Sequence, residues 1–125
     1  MNIPENLKYS KDHEWSDTNN DVAVIGLTDF AQSELGDIIF IEFPDIGDQI
    51  FIGDTIGTVE AVKTVADMFS PLSGEIVEVN ENLEDAPDLV NSDPYGEGWI
   101  IKIKLNKPKE LDLLLDSKSY ETLIK

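Results

Sequence analysis

Cysteine and arginine are both absent from this chain of 125 residues, and His13 is its only histidine. Without cysteine there is no disulfide framework, no thiol nucleophile and no zinc–thiolate site, which is compatible with a reducing compartment. Without arginine no bidentate clamp on a carboxylate or phosphate can be built. A single histidine rules out paired-histidine metal sites and weakens any acid/base scheme. No phosphate-cradling loop is present either: "GDTIGTVE" lacks the lysine-serine/threonine ending and the helix that should follow. Neither a metal site nor a self-contained catalytic set is expected, which leaves binding, interaction or carriage of a group. Asp, Glu or Lys interrupts every apolar run before it reaches the length of a membrane span. The opening "MNIPENLKYSK" lacks the basic and apolar regions of a secretory signal, and it lacks the Arg/Ser-rich character of a transit peptide, which processing would have removed. Positive charge is scarce: nine lysines face 26 acidic residues, for a net charge of −17. That balance repels phosphate, so neither nucleic acid nor an anionic membrane is an expected partner. Proteins with basic docking surfaces are; the other explanation of the acidity is solubility alone.

With 41% hydrophobic residues, the chain has enough apolar surface for one core and is expected to form a single domain over residues 1–125. Short β-favouring runs recur between turn residues. "DVAVIGLT" follows an Asn19-Asn20 pair suited to a hairpin turn. "DIIFIEFP" stops at Pro44, which cannot continue a central strand. "IGDQIF" and "IGDTIG" form a near-repeat in which each Gly-Asp turns the chain before another apolar run. "GTVEAV", "VADMFS", "GEIVEVN" and "GWIIKIKL" follow, the last alternating Ile101, Ile103 and Leu105 against Lys102 and Lys104, as a strand with one wet face does. The pattern predicts a mainly β fold: a flattened barrel or sandwich of short, mostly antiparallel strands with a few short helices. "TDFAQSELG" predicts a helix capped by Thr28, with Asp29 in its first turn and Gly36 as a left-handed stop. "KPKELDLLLD" places Leu111, Leu114 and Leu115 at helical spacing after Pro108. "SKSYETLIK" predicts a C-terminal helix laying Tyr120, Leu123 and Ile124 on the sheet. "ENLEDAPDLVNSDPYGEG" has no sustained period and is long for a structureless loop, so it is either functional or well packed; Asp93-Pro94-Tyr95-Gly96 reads as a turn within it.

Between Lys11 and Lys102 the only cation is Lys63, in "GTVEAVKTVADMFSPLSG". Gly53-Asp54 and Gly74-Glu75, both chain-turning signals, bracket it ten residues before and eleven after. A strand rising to Lys63, a tight turn and a strand descending through "VADMFSP" would present the amine at a hairpin tip. A lysine that another enzyme is to acylate needs that placement, exposed and free of an acid partner, and Val62 and Thr64 beside it are compact and uncharged. The alternatives are an ordinary edge lysine that blunts a sheet edge, and a Schiff-base lysine, which needs a pocket and an acid/base partner.

"GDTIGTVEAVKT" followed by "SPLSGEIVEVNE" resembles the lipoyl-lysine region of the H proteins of the glycine cleavage system. The likeness runs nearly the whole chain, through "LKYSKDHEW", "IGLTDFAQSELGDIIFIEFP", "DLVNSDPYGEGWIIKIK" and "ELDLLLDSKSYETLI". Several motifs in the right order carry more weight than a lone short one. What the resemblance implies is a non-catalytic carrier in which Lys63 bears lipoate in amide linkage. Its dithiolane would accept an aminomethyl group from glycine at a pyridoxal-phosphate decarboxylase. An aminomethyltransferase would pass the methylene to tetrahydrofolate and free ammonia, and a flavin-dependent dihydrolipoyl dehydrogenase would reoxidise the dithiol. Tethering raises the arm's effective concentration at each partner, and relatives shelter the loaded arm in a surface cleft. The resemblance also implies roles for individual residues. Glu60, three before the lysine, would be read by the lipoate-attaching enzyme, or else be a solvated strand residue. Glu14 of "HEW" and Asp67 would face the loaded arm, surface solvation being the default for Asp67. His13 and Trp15 would be structural, as would Gly53 and Gly74 at turn positions. The expected state is a monomer, cytoplasmic in a bacterium or mitochondrial in a processed eukaryotic chain.

Two departures from the family pattern stand out. Phe30 occupies a place where many members carry a polar aromatic ring, which leaves it a packing role only. Ala61 replaces a common small polar residue two before the lysine. Among other carriers, biotinyl domains flank the lysine with methionines, whereas Met68 here lies too far along, and lipoyl domains of 2-oxo acid dehydrogenases lack "HEW" and "PYGEGW". An H-like lipoyl donor or relay in lipoate metabolism, and an unmodified interaction module, remain the competing readings.

Overall fold

Alternating burial along short segments builds two antiparallel sheets in the computed structural model, which describes residues 1–125. The first strands are β1 (Lys8–Tyr9), β2 (Glu14–Asn19) and β3 (Val22–Leu27), followed by helix α1 (Asp29–Leu35). Then come β4 (Ile38–Glu42), β5 (Gln49–Ile50), β6 (Thr55–Ala61), β7 (Val65–Phe69) and β8 (Gly74–Val79). Two single-turn helices, α2 (Asn82–Asp85) and α3 (Leu89–Ser92), precede β9 (Ile101–Leu105). A 3-10 helix over Pro108–Leu113 and helix α4 (Ser117–Ile124) end the chain. The larger sheet runs β1-β2-β3-β9-β8-β5, and the smaller runs β4-β6-β7.

The two sheets enclose one apolar cluster that includes Ile25, Ile41, Val59, Met68, Ile76 and Ile103. Ile101, Ile103 and Leu105 are buried while Lys102 and Lys104 between them are not, as the alternation in β9 predicts. A second, smaller cluster joins Leu7, Tyr9, Trp15 and Tyr120, where α4 closes over β1 and β2. There the Tyr9 and Tyr120 rings stack at 4.7 Å.

Several turns follow from single residues. Asn20 takes φ 59° between β2 and β3, a conformation asparagine tolerates. Gly47 and Gly53 both take positive φ in the turns that carry the Gly-Asp repeat. Gly74 differs from expectation: it is the first residue of β8, not a turn residue. A Cβ at that position would collide with the Lys104 carbonyl oxygen on β9, so close backbone approach explains the glycine.

The helices also differ in detail. Thr28 caps α1 as expected, its hydroxyl accepting the Ala31 N–H at 3.1 Å. Gly36 has φ 80° but ψ −156°, so the chain leaves α1 extended, straight into β4, instead of curling in the left-handed helical conformation. The 108–113 segment is a 3-10 helix, and Leu115 beyond it pairs with Tyr9 through two main-chain bonds of 2.7 and 2.8 Å. That bridge requires extended backbone and stops a longer α-helix. In α4, Tyr120 is fully buried and Ile124 packs on the smaller cluster, but Leu123 is 49% exposed and does not join the sheet. The aperiodic stretch before β9 is well packed: Leu83 and Val90 are buried, and the Asn80 side chain donates to the Glu97 and Trp99 carbonyls at 2.8 and 2.7 Å.

Candidate functional site

Lys63 sits in the tight turn between β6 and β7. The turn is closed by the Ala61 N–H, which donates to the Thr64 carbonyl at 2.8 Å, and anchored sideways by the Val62 N–H to the Asp37 carbonyl at 3.0 Å. Lys63 is exposed and belongs to neither ion pair of the protein, Lys102–Glu78 and Lys125–Glu121. Its stem lies over Gly36: a Cβ there would be 3.4 Å from Lys63 Cε, so the bare glycine at the end of α1 leaves the stem a path. Asn91 on α3 braces the corner beneath. It donates to the Gly36 carbonyl at 2.8 Å and the Gln32 side chain at 3.0 Å, and accepts the Ile38 N–H at 3.0 Å.

The neighbours of Lys63 divide between two faces. Val59 and Ala61 are buried in the main cluster, so an alanine two residues before the lysine fits an apolar environment. Glu60 lies between them on the outer face, paired in register with Phe40 on β4 and Val65 on β7. Phe40, Val62 and Val65 are all more than half exposed. They form an apolar strip beside the lysine that the sequence pattern alone did not single out.

The same hairpin forms one wall of a cleft of about 410 Å³. Val59, Ala66, Asp67 and Met68 come from β6 and β7; Phe30, Ala31, Glu34 and Leu35 come from α1; Asp12 and His13 come from the turn before β2, Glu14 opens β2 and Leu27 ends β3. Glu14, Asp67, His13 and Phe30, singled out separately in the sequence, therefore meet around one space, whereas Glu60 stands outside it. Asp12 and Glu34 were missed; for Glu34 the one signal is its i, i+4 spacing from Phe30, which puts those two on a common helix face.

Glu14 is the only Asp or Glu side chain that the fold buries, at 2% exposure. Burial raises its carboxyl from the ordinary 4.5 to about 8; the Asp12 charge adds to the rise, while the Ser10 hydroxyl and the Phe69 main-chain N–H oppose it. Burial also lowers His13 below its usual value, against the pull of Asp12 and Glu34. The His13 ring is held by Nδ1 to the Tyr120 hydroxyl at 2.9 Å, and that hydroxyl meets Thr28 Oγ1 at 2.7 Å. Phe30 packs against the imidazole at a ring separation of 4.9 Å, a packing contact only. His13 takes φ 70°, a strained backbone conformation in the residue directly before Glu14. No three acidic or imidazole side chains converge closely enough to hold a metal ion. A largely apolar cleft with a carboxyl-rich rim suits an organic cation better.

Comparison with known proteins identifies the family. Residues 7–125 match the family described as Glycine cleavage H-protein. The chain is 57% identical over 126 aligned residues to the glycine cleavage system H protein of Chlorobaculum tepidum, covering 99% of this chain and 98% of that one. It is 51% identical to the protein of the same name from Carboxydothermus hydrogenoformans, covering 98% and 94%. The crystal structure of a glycine cleavage system H protein from Mycobacterium marinum superposes with a TM-score of 0.89 at 35% identity, covering 96% of this chain and 97% of that one. On sequence and on fold alike, this chain belongs to the glycine cleavage H-protein family.

Proposed function

We propose that residues 1–125 form one lipoyl-carrier domain of the glycine cleavage system, with lipoate in amide linkage to Lys63. The observation that carries this reading is the placement of Lys63: an exposed, unpaired amine at the tip of a rigid hairpin, its stem directed over Gly36 at the end of the helix that walls the cleft. The residues present fit the group. An amine free of carboxylates is open to acylation, and the adjoining space of about 410 Å³ has mostly apolar walls. When bound, lipoate supplies a redox-active dithiolane that can carry an aminomethyl unit derived from glycine. The protein contributes three things. The hairpin fixes the origin of the arm, the Met68, Leu35 and Phe30 side chains exclude water, and the Glu14 and Asp67 carboxyls attract a carried ammonium.

The partners of this reading are a pyridoxal-phosphate glycine decarboxylase, a tetrahydrofolate-dependent aminomethyltransferase, dihydrolipoyl dehydrogenase and the lipoate-attaching enzyme. Glu60, between the exposed Phe40 and Val65, would be read by the attaching enzyme. The test is intact-mass and peptide analysis of protein made in cells supplied with lipoate. A lipoyl increment confined to Lys63 is expected; unmodified Lys63 beside an active ligase would sink the carrier reading.

A further inference from the structure

The turn from Ser10 to Glu14 is closed by reciprocal hydrogen bonds. The Ser10 N–H donates to the Glu14 carbonyl at 2.9 Å, and the His13 N–H donates back to the Ser10 carbonyl at 3.1 Å. The Ser10 hydroxyl does two further things. It donates to Glu14 Oε1 at 2.6 Å and accepts the Glu14 main-chain N–H at 3.1 Å. With Ser10 at 9% exposure and Glu14 at 2%, water competes little for either bond.

One carboxyl oxygen of Glu14 is therefore spoken for. The carboxyl also meets the Phe69 main-chain N–H, which favours its ionised form. Beyond these two donors the carboxyl has no partner in the protein, and Glu14 lines the open space of the cleft. The charged and titratable groups facing that space are Asp12 and His13 on the same turn, Glu34 on α1 and Asp67 on β7, with Tyr120 behind His13. None supplies a positive charge: three are acidic, and burial disfavours the imidazolium. Only the Ser10 hydroxyl and the Phe69 N–H favour the ionised form of Glu14.

We propose that Ser10 is a positioning residue that fixes Oε1 and so aims Oε2 into the cleft as the acceptor for a cationic amine carried on the Lys63 arm. The inference rests on the reading above in which Glu14 meets the carried amine. Without the hydroxyl, the carboxyl is free to turn about its last bond and holds its proton to higher pH. A docked ammonium then meets a carboxyl that stays neutral over a wider pH range and is aimed elsewhere. A serine that merely closed the turn would leave both the titration and the retention of cargo untouched.

The test has two arms. In protein not carrying lipoate, 13C NMR of labelled glutamate carboxyls follows the Glu14 titration, the resonance being assigned by its loss in Glu14→Gln. Ser10→Ala is expected to move the midpoint upward by about one pH unit, the worth of a lost hydrogen bond to a charged group. In lipoylated protein charged from glycine by the partner decarboxylase, the loss of cargo in buffer is timed at several pH values. Both Ser10→Ala and Glu14→Gln are expected to speed it by about threefold or more, and Glu14→Gln to flatten its pH profile. If Glu14→Gln speeds the loss while Ser10→Ala changes neither midpoint nor rate, the role of Ser10 is overturned and the Glu14 contact stands. If Glu14→Gln leaves the rate unchanged, the Glu14 contact fails and takes the Ser10 proposal with it. Carriage by Lys63 is judged separately, by mass.

Discussion

Glu14→Gln isolates the cost of burying one carboxyl in a protein with 26 acidic side chains. In the folded protein Glu14 ionises at about 8 instead of the ordinary 4.5, so the native state holds a proton that the unfolded chain surrenders. The stability contributed by the neutral carboxyl is complete below pH 4.5 and is lost as pH rises to 8. At 1.36 kcal/mol per unit, the loss is about 4–5 kcal/mol across the whole interval and about 3 kcal/mol by pH 7. This is a substantial share of the ~5–15 kcal/mol that holds a typical domain together. Glutamine keeps the shape and an oxygen acceptor for the Ser10 hydroxyl but does not titrate. Urea unfolding of wild type and variant at pH 5, 6, 7 and 8 tests this, because the other acidic side chains contribute alike to both proteins and cancel in the difference. The variant should gain on the wild type by about 1.4 kcal/mol per pH unit and level off above pH 8. A difference constant to within about 0.5 kcal/mol, the scatter of an ordinary surface substitution, would refute the argument that burial dominates at this carboxyl.

Other substitutions test the scaffold and the arm. Lys63→Arg should change stability by less than about 0.5 kcal/mol, since the side chain is exposed and unpaired, yet abolish lipoyl attachment and glycine–carbon dioxide exchange; surviving exchange would mean that another residue carries the group. Trypsin provides a simple readout of attachment: acylated Lys63 should leave residues 12–102 joined, because no other lysine or arginine lies between them. Asn91→Ala removes three hydrogen bonds at the corner between α1 and β4 and should cost about 2–3 kcal/mol; amide exchange at Ile38 should accelerate, and unchanged protection there would show that Asn91 is not its partner. Gly74→Ala drives a methyl into the Lys104 carbonyl and should cost about 3 kcal/mol or more by parting β8 from β9; a thermal midpoint within about 2 °C of wild type would contradict the close approach.

The strands were readable because each depends on its own residues: β9 shows its buried face through Ile101, Ile103 and Leu105, and the Lys63 hairpin shows its tip through a solitary amine between β-favouring runs. Thr28 is equally local, since its cap bond reaches only to Ala31. What the sequence hid depends on partners far along the chain. Gly74 looked like a turn because Lys104, thirty residues away, gave no sign of its carbonyl. The leucines after Pro108 kept helical spacing, but the bridge from Leu115 to Tyr9 decided the backbone. The cleft was partly legible: "HEW" and Asp67 were marked, while Asp12, Glu34 and the Asn91 brace acquire meaning only once the turn before β2, α1 and α3 are brought together.

The β6–β7 hairpin supplies Lys63 and only one wall of the cleft; the others come mainly from α1 and the turn before β2. In the proposed carrier reading, attachment and protection are therefore separable properties. Transplanted alone onto a foreign β-scaffold, residues 55–69 would form a portable acylation tag, able to take up an arm but leaving its cargo wet. A designer who wants a durable carrier must move the opposing helix and turn as well, and one who wants quick discharge should leave them behind.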